Sequence, residues 1–418
     1  MSAKAEANPA SIDSLGAVRA FYEAHPYPAP VESLEKRLDR YRDPRRRRAQ
    51  SLLLWPFEKT RGNRKILIAG CGTSQAARHA LMEPEARVTA IDISETSLRH
   101  TRDLQQKHGL RNLHLHKLAI ERAHDLGETF DEIVCTGVLH HLSDPDAGLR
   151  SLRNVLAVNG AMHIMVYAPY GRGGVTMMRD YCRLLEIGVG DQELRDLGST
   201  LQALSSDHPI AGVLRRAKDF SRPDALADAL LNPQDRTYSV PELYDWLERC
   251  GLKFGRWHEQ APYLPQCGAI ARMAHAARLA ALAPQAQHTA MELLRGTMDR
   301  HSFVANRDDR AREAQPIAFE GDAWRAFVPV RLPWTLTVKD RAPRGVAAVL
   351  INPTHMYPDL ALFIDDAEER LLKAIDGERS LAEILQNAPG AIGDEQGRQF
   401  FKRLWEHDLI VFDAKRAA

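Results

Sequence analysis

Long apolar runs are missing from this chain. No stretch approaches the ~20 consecutive apolar residues of a membrane span, and the opening MSAKAEANPASID lacks the apolar centre of a signal peptide. No membrane partner is expected. Cysteine is scarce: Cys71, Cys135, Cys182, Cys250 and Cys267 are scattered through 418 residues without a CxxC pair. That spacing argues against a zinc site or a disulfide framework, so no metal is expected and a cytoplasmic location is. Neither sign of charge is in excess. Lys plus Arg number 56 against 55 Asp plus Glu, a net charge of +1, which gives no general pull toward nucleic acid. Internal repeats and low-complexity tracts are absent as well. What remains is ordinary globular material, 44% hydrophobic and 27% charged, long enough for two or three domains.

The first elements are helical. Ser14 to His25 carries Leu15, Val18, Phe21 and Tyr22 at helical spacing before Pro26, Pro28 and Pro30 break it. A second helix is expected from about Glu32 to Arg42. Asp43-Pro44 reads as an N-cap followed by proline in the first turn, opening a third helix over Arg45 to Trp55. Its Arg45–Arg48 run fits either a phosphate or acidic partner or a solvated helix face. Strand, turn and helix then alternate. Apolar runs at Lys65–Ala69, Arg87–Ile93, Leu113–Leu118, Phe130–Cys135 and Ala161–Tyr167 are separated by helical segments at Gln75–Met82, Ser94–His108 and about Asp146–Leu156. Such alternation predicts parallel βαβ units in a sheet covered by helices on both faces. Ligands of such sheets bind outside the carboxyl ends of the strands.

Gly70 and Gly72 stand where the first strand must turn into a helix, and glycine there lets a ligand approach the backbone. Asp92 ends the second strand about 20 residues later, the distance at which an acid can accept hydrogen bonds from ribose. A tight turn with a helix-capping Asp92 is the competing explanation.

ILIAGCGTSQ, AIDIS, FDEIVCTGVLHHLSDP and LAVNGAMHIMVYA, in this order, resemble the successive motifs of the class I S-adenosylmethionine-dependent methyltransferases, over roughly Tyr22 to Arg307. The resemblance implies a Rossmann-like α/β fold with a mostly parallel seven-stranded sheet, S-adenosyl-L-methionine as cofactor and S-adenosyl-L-homocysteine as product. It places the Gly70–Cys71–Gly72 loop under the methionyl part and counts Ala69, Thr73 and Gln75 among the cofactor-binding residues. Asp92 would bind ribose and Ile93 flank the adenine. Leu118, Ala119 and Ile120 would line the adenine edge, with Thr136 and Gly137 beside the methionine arm. Three positions depart from the family pattern. Ile68 and Ala119 stand where acids are common, and Ser74 stands where a third glycine is common. Backbone groups, Thr73 and Gln75 are therefore expected to supply more of the cofactor's hydrogen bonds.

The acceptor side is less determined. His140 and His141 follow the fourth strand, where either could serve as a general base or simply pack the loop. Tyr167, Tyr170 and Arg172 lie in a glycine-rich loop and could line the acceptor site, with Arg172 pairing to a carboxylate or phosphate, or merely connect elements. Asn232, Asp235, Arg236 and Tyr238 either face a substrate or form a turn and helix cap. The acceptor is expected to be a small molecule or a protein or peptide side chain. An S-adenosylmethionine-binding scaffold or sensor without catalysis is the alternative.

Three blocks are expected: a helical N-terminal segment over 1–56, a catalytic domain over 57–310 with a helical lid at about 175–235, and an accessory domain over 317–415. The catalytic block should close with strands at Lys253–His258 and His301–Arg307, the last antiparallel, with a helix at about Gln285–Met298 between them. The boundary is expected in the charged stretch ending at Pro316, so that a chain cut near Asp309 keeps its fold. Beyond it, strands at Ala326–Leu332 and Trp334–Lys339 precede helices at Ala367–Ile375, Ser380–Gln386 and Gly397–His407 and a closing strand, Leu409–Phe412. That order is similar to small winged-helix domains. Glu395, Glu406 and Asp408 oppose Gln399, Lys402 and Arg403, so nucleic acid is not the expected partner; docking, or homodimerisation through this domain, is.

Overall fold

A computed structural model describes residues 9–58, 63–216, 220, 222–310, 317–340, 343–387 and 392–415; Pro316 and Arg312 lie outside them. The elements run α1 (Pro9–Ala24), α2 (Leu38–Arg42), α3 (Pro44–Leu54), β1 (Lys65–Ala69), α4 (Gln75–Met82), β2 (Arg87–Asp92), α5 (Glu95–His108), β3 (Leu113–Lys117) and β4 (Phe130–Thr136). Next come α6 (Pro145–Val155), β5 (Leu156–Tyr167), α7 (Gly173–Leu184), α8 (Asp191–Ala203), α9 (Ala211–Arg216), α10 (Pro223–Leu226), α11 (Val240–Arg249) and β6 (Leu252–Trp257). α12 (Ala276–Ala280), α13 (Pro284–Arg295), β7 (Arg300–Arg307), β8 (Val328–Arg331), β9 (Leu336–Val338), β10 (Ala348–Ile351) and β11 (Leu362–Ile364) follow. α14 (Asp366–Lys373), α15 (Leu381–Gln386), α16 (Asp394–Glu406) and β12 (Ile410–Asp413) complete the described chain.

The chain divides into two compact units. The first comprises 1–41, 63–254 and 295–311; the second comprises 42–62, 255–294 and 312–418. The sequence-based expectation divided the chain into the consecutive blocks 1–56, 57–310 and 317–415. Its charged linker is a local signal, whereas assignment to a unit depends on distant pairings.

A seven-stranded sheet, ordered β3-β2-β1-β4-β5-β7-β6, forms the frame of the first unit. β1, β2, β3, β4 and β5 pair in parallel, and β7 runs antiparallel to β5. Ile66, Ile68, Val88 and Ala90 are buried on one face against Ala76, Ala77 and Ala80 of α4 and Leu98 and Leu104 of α5. Alanines on α4 let the helix lie close to the sheet. At the opposite end of the strands, buried Arg64 reaches Glu83 at 2.9 Å and Glu132 at 3.0 Å. The expected insertion is helical and has its own core, in which Val175, Met178 and Cys182 of α7 meet Leu197 and Leu201 of α8.

The first helix starts earlier than its sequence pattern, at Pro9. The second shrinks to a 3₁₀ turn at Glu35–Arg37 and the short α2. α3 is as expected, with the Asp43 carboxylate accepting from the Arg45 amide at 2.9 Å. Within the Arg45–Arg48 run, Arg45 pairs with Asp43, Arg46 covers the Trp334 ring, Arg47 donates to the Arg42 carbonyl and Arg48 donates to the Gly377 carbonyl. The run is held by its own unit.

The second unit has a core of Phe400, Phe401 and Leu404 against Leu371, Leu372, Leu381 and Ile384. Each such burial is worth ~1.5–3 kcal/mol relative to exposure. β12 pairs antiparallel with β8, and β9, β10 and β11 form a three-stranded sheet. The expected order of helix, short helix, longer helix and strand is present, while β10 and β11 had no anticipated counterpart. α3 belongs here, and the Ala414 amide donates to the Pro56 carbonyl at 2.7 Å.

Candidate functional site

The carboxyl ends of β1, β2, β4 and β5 open into a cavity of about 610 Å³ in the first unit, within the ~300–1,000 Å³ usual for small-molecule sites. The winding of the sheet reverses between β1 and β4, the place where a doubly wound sheet leaves a crevice. Gly70 and Gly72 make the turn with φ of 70° and 54°, in the left-handed region that favours glycine. The amides of Gly70 and Cys71 both donate to the Ile91 carbonyl, at 2.9 and 3.0 Å. A side chain at Gly70 would meet Val138 at 2.5 Å.

Asp92 holds this loop. Its Oδ2 accepts from the Gly72 amide at 2.8 Å and its Oδ1 from the Ser94 amide at 2.9 Å. Burial outweighs these donors and raises its pKa. The α5 cap itself is Ser94, whose hydroxyl accepts from the Ser97 amide. Asp92 thus braces the loop and still lines the cavity.

Gly70, Cys71, Gly72, Gln75, Asp92, Ile93, Leu118, Ile120, Thr136 and Gly137 all border the cavity, as do His141 and Arg172. Gln75 Nε2 donates to the Thr136 hydroxyl at 2.7 Å, which orients both polar groups. Nine candidates are not brought there, among them Asn232, Asp235, Arg236 and Tyr238 of the loop before α11. Ala69 is buried within β1. Thr73 donates its hydroxyl to the Pro28 carbonyl at 2.6 Å, so it serves the N-terminal segment. Ala119 caps the 3₁₀ turn after β3. Tyr170 is exposed. His140 is enclosed, its ring 3.9 Å from that of Tyr167 and 4.2 Å from that of His141.

Burial drives His140 well below the ordinary histidine pKa, and neither ring nitrogen has a partner among the described residues. It packs. His141 differs. Its Nδ1 lies 2.6 Å from the Gln234 carbonyl, which can only accept, so the proton of the neutral ring sits there and Nε2 keeps a lone pair.

His140, His141 and Asp235 bring one ligand atom each within 4.8 Å of one another. Positive charge already stands there. Arg172 and Arg179 reach Asp235 Oδ2 at 3.2 and 3.6 Å, and Arg172 lies 3.5 Å over the Tyr167 ring. Two guanidinium groups oppose a divalent cation at this place.

Other residues of the site were not legible in the sequence motifs. Val18, Tyr22, Tyr27 and Pro28 come from the N-terminal segment, and Asp228 comes from the insertion. Glu121 also borders the cavity, and its Oε2 is buried without a hydrogen-bond partner among the described residues. It lies two residues past Ala119, where the family pattern would have had an acid. Tolerance for a short shift would have found it.

The family described as a methyltransferase domain matches residues 67–162. The chain is 36% identical over 201 residues to an uncharacterised protein, syc1184_c, of Synechococcus sp.. That alignment covers 46% of this chain and 48% of the other, so the chain spans about half the length of the curated relative it matches. PKMT2 from Rickettsia typhi, solved in complex with AdoHcy, superposes with a TM-score of 0.62 at 16% identity, covering 92% of this chain and 77% of that one. A second structure of PKMT2 gives 0.61 at 17% identity, over 89% and 75%. The shared fold extends well beyond the matched domain. Residues 67–162 thus match a methyltransferase-domain family, and the chain shares its Rossmann-like fold with PKMT2.

Proposed function

We propose that this chain is an S-adenosylmethionine-dependent methyltransferase acting on an acceptor bound in the same cavity. The observation that carries it is Asp92, a carboxylate held against the Gly72 amide at the rim of a cavity at the sheet's switch point. S-adenosylmethionine supplies an electrophilic methyl on a sulfonium leaving group. The chain then has only to bind, orient and exclude water. In this proposal Asp92 receives the ribose hydroxyls, and Ile93, Leu118 and Ile120 enclose the adenine. Glu121 Oε2 accepts from the adenine amino group in place of an acid at 119. Gln75, Thr136 and Gly137 hold the methionine end, and His141 takes a proton where the acceptor carries one.

We place the acceptor among small molecules or protein or peptide side chains, and the protein in the cytoplasm, supported by five free buried cysteines. Among the described residues no helix is long and apolar enough to cross a membrane. Nucleic acid is disfavoured because Lys402 and Arg403 of α16 are paired with Glu406 and Glu368. Residues 317–415, as a winged-helix-like unit, would pair two copies, supported by exposed Leu336, Val338 and Phe363 on the small sheet.

Calorimetry with S-adenosylmethionine and S-adenosylhomocysteine tests the central claim: both should bind with one site per chain. Labelled methyl groups should then enter one fraction of a cell lysate. Failure of both ligands to bind would overturn the proposal, and binding without transfer would favour the scaffold alternative.

A further inference from the structure

Asp228 lies in the π-helical turn Ala227–Leu231 of the insertion, a backbone form frequent at functional sites. It is only 4% exposed and borders the cavity. Its Oδ1 accepts from the Tyr22 hydroxyl at 2.9 Å, and that hydroxyl accepts from the Asn232 amide at 3.0 Å. Burial and Asp228 together push the Tyr22 pKa well up, so Tyr22 remains a neutral donor. Among the described residues no hydrogen bond reaches Oδ2 and no cation pairs with Asp228. Arg172 and Arg179 share the single carboxylate of Asp235, Arg179 also feels the charge of Asp228 without reaching ion-pair distance, and Arg300 lies 4.0 Å from Asp299. Arg216 is exposed.

A desolvated carboxylate is costly until a countercharge meets it. Tyr22 touches this one, and the His141 and Tyr167 rings line the same cavity. The Tyr22 and His141 ring centres are 6.2 Å apart, and those of His141 and Tyr167 are 5.7 Å apart. A buried carboxylate beside aromatic rings is the chemistry that holds an ammonium ion. Alcohols leave the charge unmet, and carboxylates repel it.

We propose, on the methyltransferase reading above, that Asp228 anchors a protonated amine, so that the acceptors of this cavity are alkyl amines. An ammonium nitrogen has no lone pair, so one N–H proton must leave first, and His141 Nε2 receives it. The freed lone pair forms the new N–C bond to the methyl carbon. The C–S bond breaks with its electron pair going to sulfur, which leaves as a neutral thioether. The product nitrogen is again cationic, so Asp228 faces positive charge before and after transfer.

Butylammonium titrated into the full chain saturated with S-adenosylhomocysteine tests this, with butanol and butyrate as neutral and anionic controls. Butylammonium should bind at least about tenfold more tightly than either control. Asp228→Asn should weaken it by about tenfold or more while leaving S-adenosylhomocysteine affinity within about twofold. Should that variant fail to fold, Tyr22→Phe keeps the ring, removes the hydroxyl that positions Asp228, and should weaken butylammonium in the same direction. Equal binding of the three probes, no butylammonium binding to the loaded protein, or folded variants without effect would overturn the proposal. A loss confined to S-adenosylmethionine, with S-adenosylhomocysteine spared, would assign Asp228 to the sulfonium and overturn it too. If S-adenosylhomocysteine itself fails to bind, the methyltransferase reading falls first and takes this one with it.

Discussion

Asp92 uses its two oxygens on two backbone amides, those of Gly72 and Ser94. Replacement by alanine therefore loosens the loop as well as removing the acceptor for ribose. Charge-assisted hydrogen bonds are worth ~1.5–3 kcal/mol each, so S-adenosylhomocysteine affinity should fall about tenfold to several hundredfold. Calorimetry on Asp92→Ala checks this, and an unchanged dissociation constant in a folded variant would reduce Asp92 to a brace. Because its pKa is raised by burial, wild-type affinity should begin to fall on acidification above the usual aspartate range. Asp92→Asn should flatten that limb of the profile. The glycine and acid spacing was legible because strand, turn and strand tip lie close in sequence. Tyr22, Asp228 and Glu121 were not. The first two are joined only by the folded chain, and Glu121 is displaced from the expected position.

At the scale of elements, α1 matters because it carries Val18 and Tyr22 to the cavity. Glu23 fixes it to α5: its carboxylate accepts from the amides of Glu95 and Thr96 at 2.8 and 2.9 Å. Burial alone would raise its pKa, yet these donors and Lys117 hold it at about 2. A carboxyl pKa depressed on folding gives stability that is present above the unfolded value, near ~4.5, and lost as pH falls toward 2. Glu23→Gln should therefore melt lower than wild type at pH 7, with the gap closing between about pH 4.5 and 2. A constant gap across that range, in melts at several pH values, would assign the loss to packing. The sheet and its helices were legible from apolar runs and caps. β10 and β11 were not anticipated, because short strands lack a sustained period.

For the whole molecule, the second unit is assembled from three separated stretches. In α3, Leu52, Leu53 and Leu54 are buried, and the Pro56 carbonyl accepts from Ala414. Between 255 and 294, the Ala261 amide donates to Asp408 at 3.0 Å and Gln260 donates to the Trp405 carbonyl at 2.7 Å. Ending the chain near Asp309 removes the partners of both stretches. Contrary to the expectation from the linker, such a truncation should aggregate or melt at least about 10 °C lower, since several buried side chains lose their cover. Light scattering and thermal unfolding of the truncated chain decide this, and a soluble, monomeric product with unchanged melting would contradict it.

The same interleaving bears on synthesis. α3 leaves the ribosome long before its neighbour β12, which stands far downstream of it in the chain, is translated. Unit-by-unit folding in step with translation is therefore closed to this protein. Until β12 is made, the nascent polypeptide carries a helix whose Leu52, Leu53 and Leu54 lack that neighbour. A premature stop before β12 would release a sticky product rather than a shorter working one.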